Sequence, residues 1–293
     1  MKTNLSSTIQ RLSQVDDSHG ISYKCDTKGE MPSIEVLGEI VLLVRSILFP
    51  GYFGNSNVNA DTLIYHVGLN VEKLLSLLSG QIKAGLCFEN QNEGSNKDLS
   101  KIAKEKAFAL IEQLPDIKKQ LYTDVISAYN GDPAAKSLGE IVFCYPGIRA
   151  ISNYRFANAL LKLDVPLIPR IISEMAHSET GIDIHPGATI GSYFTIDHGT
   201  GVVIGETTVI GDNVKIYQGV TLGAKSFPLD KNGNPIKGID RHPKIGNNVI
   251  IYSNSTVLGN IKVGDGAIIG GNIWVDSEVP AGARLLQQEK RSE

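Results

Sequence analysis

Thirteen aliphatic residues recur at six-residue intervals through the C-terminal half of this chain, and that period leaves few folds open. The series runs Ile184, Ile190, Ile196, Ile204, Ile210, Ile216, Leu222, Ile245, Ile251, Val257, Val263, Ile269 and Val275, broken only after Ile196 and after Leu222. Half-buried strands alternate every two residues and helices repeat every 3.6, so a strict six belongs to neither. It is the period of a hexapeptide solenoid, in which each unit is one short strand and a turn. Stacked units bury a continuous column that no unit could bury alone. About three units close one triangular coil, so thirteen predict about four coils. In the last block, Val249, Ser255, Ile261, Ala267, Ile273 and Val279 repeat as a second inward position. Ordinary sandwich strands are disfavoured because the two-residue alternation is missing.

The fold expected is therefore α+β, an N-terminal all-α region followed by a left-handed parallel β-helix. Residues 1–30 are polar and read as a loose arm, 31–180 as the helical domain, 181–280 as the β-helix with an excursion loop at 223–244, and 281–293 as a tail. Apolar spacings of three and four predict helices over Ser33–Phe49, Thr62–Leu78, Leu99–Leu114, Asp116–Tyr129, Pro146–Leu163 and Pro166–Ser178, with 90–97 as a linker. The helices are expected to cap the first coil, whose edge would otherwise be open.

Composition excludes several classes. A net charge of −3 over 293 residues gives no footprint for nucleic acid. Cys25, Cys87 and Cys144 are too few and too dispersed for a disulfide framework or metal cluster, which suits a reduced, cytoplasmic setting. Val36–Phe49 is apolar but short and carries Glu39 and Arg45, so no membrane span is expected. Cys144 and Trp274 read as packing residues.

A solenoid accommodates insertions at its corners, commonly on the functional face. Ile196 to Ile204 is eight residues instead of six, and the extra pair falls within Asp197-His198-Gly199-Thr200-Gly201. Leu222 to Ile245 is twenty-three, leaving a loop that returns through Asp240-Arg241-His242-Pro243-Lys244. Each break carries a histidine beside charged groups. The loop sets five cationic side chains (Lys225, Lys231, Lys237, Arg241, Lys244) against Asp230 and Asp240, which would suit a phosphate-bearing ligand.

Asp183-Ile184-His185-Pro186, Asp197-His198-Gly199-Thr200-Gly201, Gly205-Glu206-Thr207, Gly219-Val220-Thr221-Leu222-Gly223 and Arg241-His242-Pro243-Lys244, in this order, resemble the bacterial serine O-acetyltransferase family, as does Asp132-Pro133-Ala134 upstream. The resemblance covers about residues 132–273. It implies acetyl transfer from acetyl-CoA to the L-serine hydroxyl, giving O-acetylserine for cysteine synthesis, with no metal. By similarity, His198 is the general base and Asp183 orients it, while Asp132, Asp197, Arg241 and His242 hold serine. The CoA arm would touch Gly223, Ala224, Ser253 and Gly271 between neighbouring β-helices of a homotrimer or a dimer of trimers. Family members that dock onto O-acetylserine sulfhydrylase use a C-terminal isoleucine; this chain ends Arg291-Ser292-Glu293, so that complex is not expected.

The chemistry agrees with the resemblance. A serine hydroxyl needs a base to take its proton during attack, worth roughly 10²- to 10⁴-fold, and imidazole suits neutral pH. A carboxylate on the far ring nitrogen would fix the tautomer; Asp183 is the candidate, and Asp197 is close enough in sequence to compete for that role. Asp132 or Asp197 with Arg241 could pair with the ammonium and carboxylate of the amino acid. Cysteine, one atom different from serine, is expected to compete. The alternatives are an acetyltransferase for another hydroxyl, a zinc hydratase of the γ-carbonic anhydrase type, and a non-catalytic scaffold. The zinc enzyme needs three histidine ligands at close spacing, and the six histidines here lack that pattern.

Overall fold

The structure, a computed structural model, describes residues 5–14, 31–54, 58–89 and 98–287. Cys25, the 90–97 linker and the last three residues lie outside them, as does most of the 1–30 arm. Within that arm a short helix is present, α1 (Leu5–Leu12), with no buried residue.

Among the described residues six further helices precede the first strand: α2 (Ile34–Leu48), α3 (Leu63–Glu89), α4 (Leu99–Gly131), α5 (Leu138–Cys144), α6 (Pro146–Lys162) and α7 (Ile168–Thr180). Ser33 caps α2 by accepting from Val36 N, and Asp98 caps α4 by accepting from Ser100 N and Lys101 N. The two helices expected around Pro115 are one. Leu110, Leu114, Ile117 and Leu121 form a single buried stripe across the proline. Burying each is worth roughly 1.5–3 kcal/mol, against about 3 kcal/mol for an interior proline, so the stripe prevails. Helix α3 outruns its expected end because Ile82, Ala84 and Leu86 continue its buried face. Helix α5 was not expected. Its signal is the Ser-x-x-Glu sequence at its start, where Ser137 accepts from Glu140 N while Glu140 accepts from Lys136 N, one residue before the cap; the helix turns Cys144 outward, contrary to the packing role expected of it.

Fourteen short strands among the described residues then wind into three parallel sheets, a left-handed β-helix. The first sheet stacks β1 (Asp183–Ile184), β4 (Val203–Ile204), β7 (Thr221–Gly223), β10 (Thr256–Leu258) and β13 (Trp274–Val275). The second stacks β2 (Thr189–Ile190), β5 (Val209–Ile210), β8 (Lys244–Ile245) and β11 (Lys262–Val263). The third stacks β3 (Thr195–Asp197), β6 (Lys215–Tyr217), β9 (Ile250–Ile251), β12 (Ile268–Ile269) and β14 (Arg284–Leu285). All thirteen residues of the six-residue series are buried. Strand β14 lies beyond residue 280, in the segment read as a tail, and pairs Leu285 with Ile269. Ser255, an odd polar member of the second column, is fully buried yet satisfied: its hydroxyl donates to Gly270 O (2.6 Å) and accepts from Ile273 N. Trp274 does not pack inward; it stands outward on β13, 65% exposed in the single chain.

Each coil donates its N–H groups to carbonyls of the next, as in Thr189 N to Thr208 O, so the first coil is left with carbonyls that no preceding coil can satisfy. Helix α6 supplies the donors. Tyr154 Oη reaches Ala188 O (2.7 Å), Asn158 Nδ2 reaches Pro186 O (2.8 Å), and Arg155 reaches Ile190 O and Gly191 O. Arg155 also grips Asp124 of α4 through two bonds of 2.8 and 2.9 Å, and the same carboxylate accepts from Phe194 N. Gly147 permits this docking, because a Cβ there would lie 2.5 Å from Ile196 O.

The Asp124–Arg155 pair is buried and fully hydrogen-bonded, so removing one partner leaves the other charge stranded. Arg155→Met should lower stability by about 3–5 kcal/mol. Denaturant unfolding of variant and parent would show this, and a loss below 1 kcal/mol would mean that the cap does not depend on the pair.

Candidate active site

The ten residues singled out from the sequence divide between two edges of the prism. His198, Ser253 and Gly271 lie on the edge where the third sheet turns into the first, and Gly271 stacks directly on Ser253. Asp197 ends β3 at that edge, and Asp183 opens β1 just past it. Gly223, Ala224, Arg241 and His242 lie on the next edge, between the first and second sheets. The first sheet stands between the two groups.

His198 is in the two-residue insertion. It adopts a left-handed backbone (φ 55°), followed by Gly199 at φ 97°, and this bulge lifts the imidazole off the coil, 78% exposed. Its Nε2 is 3.8 Å from Asp197 Oδ1. Asp132, the C-cap of α4, comes to the same edge with both oxygens engaged: Ala134 N donates to Oδ1 (2.8 Å) and Tyr145 Oη to Oδ2 (2.5 Å). The Tyr145 bond above all, then the Ala134 bond, with Lys215 and His198 adding positive charge, hold the Asp132 carboxyl below the usual carboxylate range. Reciprocally, Asp132 pushes the Tyr145 phenol up to about 12. Lys215 completes the group, its ammonium 3.0 Å from Asp197 Oδ2. Asp183 makes no hydrogen bond or ion pair with His198; its carboxylate faces Glu174 and His177 on α7, the ligand atoms of the three lying within 4.8 Å of one another.

The second edge is built around a buried histidine. Thr207 N donates to His242 Nδ1 (3.1 Å), and the Thr207 hydroxyl lies 2.9 Å from the same nitrogen while accepting from the backbone N–H groups of Arg241 and His242. Since Nδ1 accepts, the ring proton resides on Nε2. Gly205 leaves room for the ring, because a Cβ there would fall 2.1 Å from it. Arg241 pairs with Glu206 at 2.6 Å, beside a cavity of about 310 Å³ walled by Phe227, Ile236 and Lys237 of the long loop. His185, on this edge two coils before His242, accepts from Gly187 N through Nδ1.

Glu206, Thr207, Tyr145 and Lys215 were not assigned roles from the sequence. Glu206 and Thr207 did have a signal there, within the Gly205-Glu206-Thr207 motif; spacing does not single out Lys215, because this coil spans twenty residues and stacks Lys215 on Thr195 and Tyr217 on Asp197.

The solved and curated relatives agree on what such a molecule is. The "Serine acetyltransferase, plasmid" of Synechococcus elongatus is 52% identical over 267 residues, 90% of this chain and 84% of that protein. The chain belongs to the serine acetyltransferase family. The serine acetyltransferase of Helicobacter pylori strain 26695 is 49% identical over 161 residues, 55% of this chain and 89% of its own length. Residues 242–272 match the family model "Bacterial transferase hexapeptide (six repeats)". Among solved structures, serine acetyltransferase 1 of Entamoeba histolytica in complex with L-cysteine superposes with a TM-score of 0.74 at 37% identity, over 94% of both chains. The Neisseria gonorrhoeae serine acetyltransferase in complex with serine gives 0.56 at 26%, over 85% of this chain and 95% of that one. This serine acetyltransferase relative is thus an acyltransferase of the hexapeptide class, and none of its described helices is long and apolar enough to cross a membrane.

Burial, with Arg241 next, pushes the His242 imidazole down to about 4, whereas an unfolded histidine protonates near 6.5. Between those values the unfolded chain binds the extra proton, so stability rises with pH across that window and drains as pH falls toward 4. His185 is shifted in the same direction, by burial first. His242→Gln should therefore flatten the fall of the thermal midpoint between about pH 6.5 and 4.5. Unchanged acid sensitivity in the variant would place that loss elsewhere.

Proposed function

We propose that this chain transfers the acetyl group of acetyl-CoA to the hydroxyl of L-serine, giving O-acetyl-L-serine and free CoA. The observation that carries this reading is the gathering of His198, Asp132 and Asp197 at one edge of a member of the serine acetyltransferase family. The serine hydroxyl attacks the thioester carbonyl carbon while His198 takes its proton. The tetrahedral adduct then collapses, the C–S bond breaks, and the leaving sulfur takes the proton back from the imidazolium. The thioester is already activated, so direct attack suffices. Asp132 and Asp197 pair with the substrate ammonium, and Arg241 with its carboxylate. Asp183 takes up the far nitrogen of His198 once its side chain turns from α7 toward the edge.

One chain offers His198 and Arg241–His242 on different edges, so the complete site forms where the edge of one copy meets the other edge of its neighbour. A trimer of β-helices makes three such junctions. Outward apolar residues on these faces, Val203, Val209 and Trp274, are exposed in the single chain and supply contact area. Ser253 and Gly271 would then line one wall of the groove for the CoA arm, Gly223 and Ala224 the other.

Thiol release from acetyl-CoA tests the reaction. Release should depend on L-serine and not on homoserine or a galactoside, and His198→Ala should reduce it by about 10²-fold or more. Release with another acceptor would overturn the substrate, and none at all would favour a scaffold. The solved relative holding L-cysteine supports competition at this site. Raising cysteine should increase the KM for serine, and indifference to cysteine would reject that part.

The shared site has a further consequence. His198→Ala and His242→Ala chains, each inactive alone, should recover about a quarter of the parent rate when mixed trimers form one to one, because one junction in four then joins two intact halves. Recovery of nothing, from mixtures verified as hetero-trimers, would place the site within a single chain.

A further inference from the structure

Asp197 presents only one oxygen to the site. Its Oδ2 is held by Lys215 Nζ at 3.0 Å, and its Oδ1 is turned toward His198. Lys215 opens β6, the strand stacked on β3, and reaches back across one coil to the carboxylate. The same ammonium donates to Gly131 O at 2.7 Å, the last carbonyl of α4, and lies 4.7 Å from the centroid of Tyr217. Tyr217 is in turn stacked on Tyr252, with centroids 5.1 Å apart, which fixes the ring. Both charged side chains are less than one-fifth exposed, so the pair is poorly screened.

An ammonium has three donors and no acceptor. Around Lys215 stand a carboxylate, a carbonyl and a ring face, so it has little left to offer a substrate. Its position does something else. Gly131 directly precedes Asp132, so one cation is bonded to Asp197 and to the backbone beside Asp132. These two carboxylates come from different domains and, uncompensated, would repel each other.

We infer that Lys215 is a positioning residue for the amino-acid substrate. It ties the end of α4 to β3, so that Asp197 Oδ1 and the Asp132 carboxylate stand ready as a pair for the substrate ammonium. This rests on the serine-acetylating reading given above. A group that prepares an ammonium site supports the bound ground state and the transition state alike. Its loss therefore appears in KM for the amino acid and spares kcat.

The test is steady-state kinetics on the full-length chain, varying L-serine and acetyl-CoA separately, together with calorimetry of L-serine binding. Lys215→Met should raise the serine KM about tenfold or more, in keeping with loss of a charge-assisted hydrogen bond. The kcat should stay within about threefold and the acetyl-CoA KM should not move. Calorimetric serine affinity should fall by the same factor, and Lys215→Arg should restore most of it. In an Asp197→Asn background, Lys215→Met should cost much less than in the parent, since the cation then has no charge to hold. A parent-like serine KM in Lys215→Met overturns the inference. So does a loss that falls equally on kcat and both KM values and tracks a drop in melting temperature that Lys215→Arg shares, which would make Lys215 a merely structural residue. A parent chain that releases no thiol with serine would instead overturn the underlying reaction.

Discussion

The buried pair between Asp124 and Arg155 ties α4 and α6 to the first coil, and the placement of Asp132 beside the His198 edge depends on it. Parallel coils satisfy one another along the solenoid axis, but the first coil has no predecessor, and unsatisfied buried carbonyls would each cost about 1–3 kcal/mol. Arg155 spends its donors on Ile190 O, Gly191 O and the Asp124 carboxylate, while Asp124 also accepts from Phe194 N. With Tyr154 and Asn158, this charge pair closes the open end of the β-helix, and it ties α4 to that end. Asp132 is the residue at which α4 stops.

The two edges show how a repetitive scaffold acquires chemistry. Elsewhere the corners are occupied by residues suited to left-handed backbone, such as Asn213 and Asn248 along one edge and Gly219, Asn254 and Asn272 along another. The insertion holding His198 breaks that economy, placing an imidazole at positive φ where it cannot pack and must face outward. The long loop does the opposite. It returns through Arg241 and His242 and seats the histidine over Gly205, pinned by Thr207 and kept neutral by burial. One imidazole stands exposed and the other buried, and the fold separates them by one face.

Much of this was legible in the residues. The aliphatic period of six dictated the solenoid, because only stacked six-residue turns bury such a column, and every member of the series is buried. The two breaks in the period pointed to both histidine-bearing edges. Helices α2 and α6 lie close to their expected ranges because apolar spacing and caps speak locally. The errors also have local causes. Pro115 suggested a boundary that a longer buried stripe overrode, and seven-residue α5 was too short for periodicity to reveal. Trp274, apolar by composition, stands outward because its position in the strand faces away from the column.

By itself, then, the sequence determined the repeat, the coil and the residue types able to carry acyl transfer, since these follow from period and from side-chain chemistry. Only the tertiary structure decided which of those residues meet. It set Asp132 beside Tyr145 and Lys215 beside Asp197, it turned Asp183 toward α7, and it divided His198 from Arg241–His242. The reason is geometric. Neighbours on a triangular prism are fixed by stacking register and by the docking of α4 and α6, two long-range relations that no window of adjacent residues encodes.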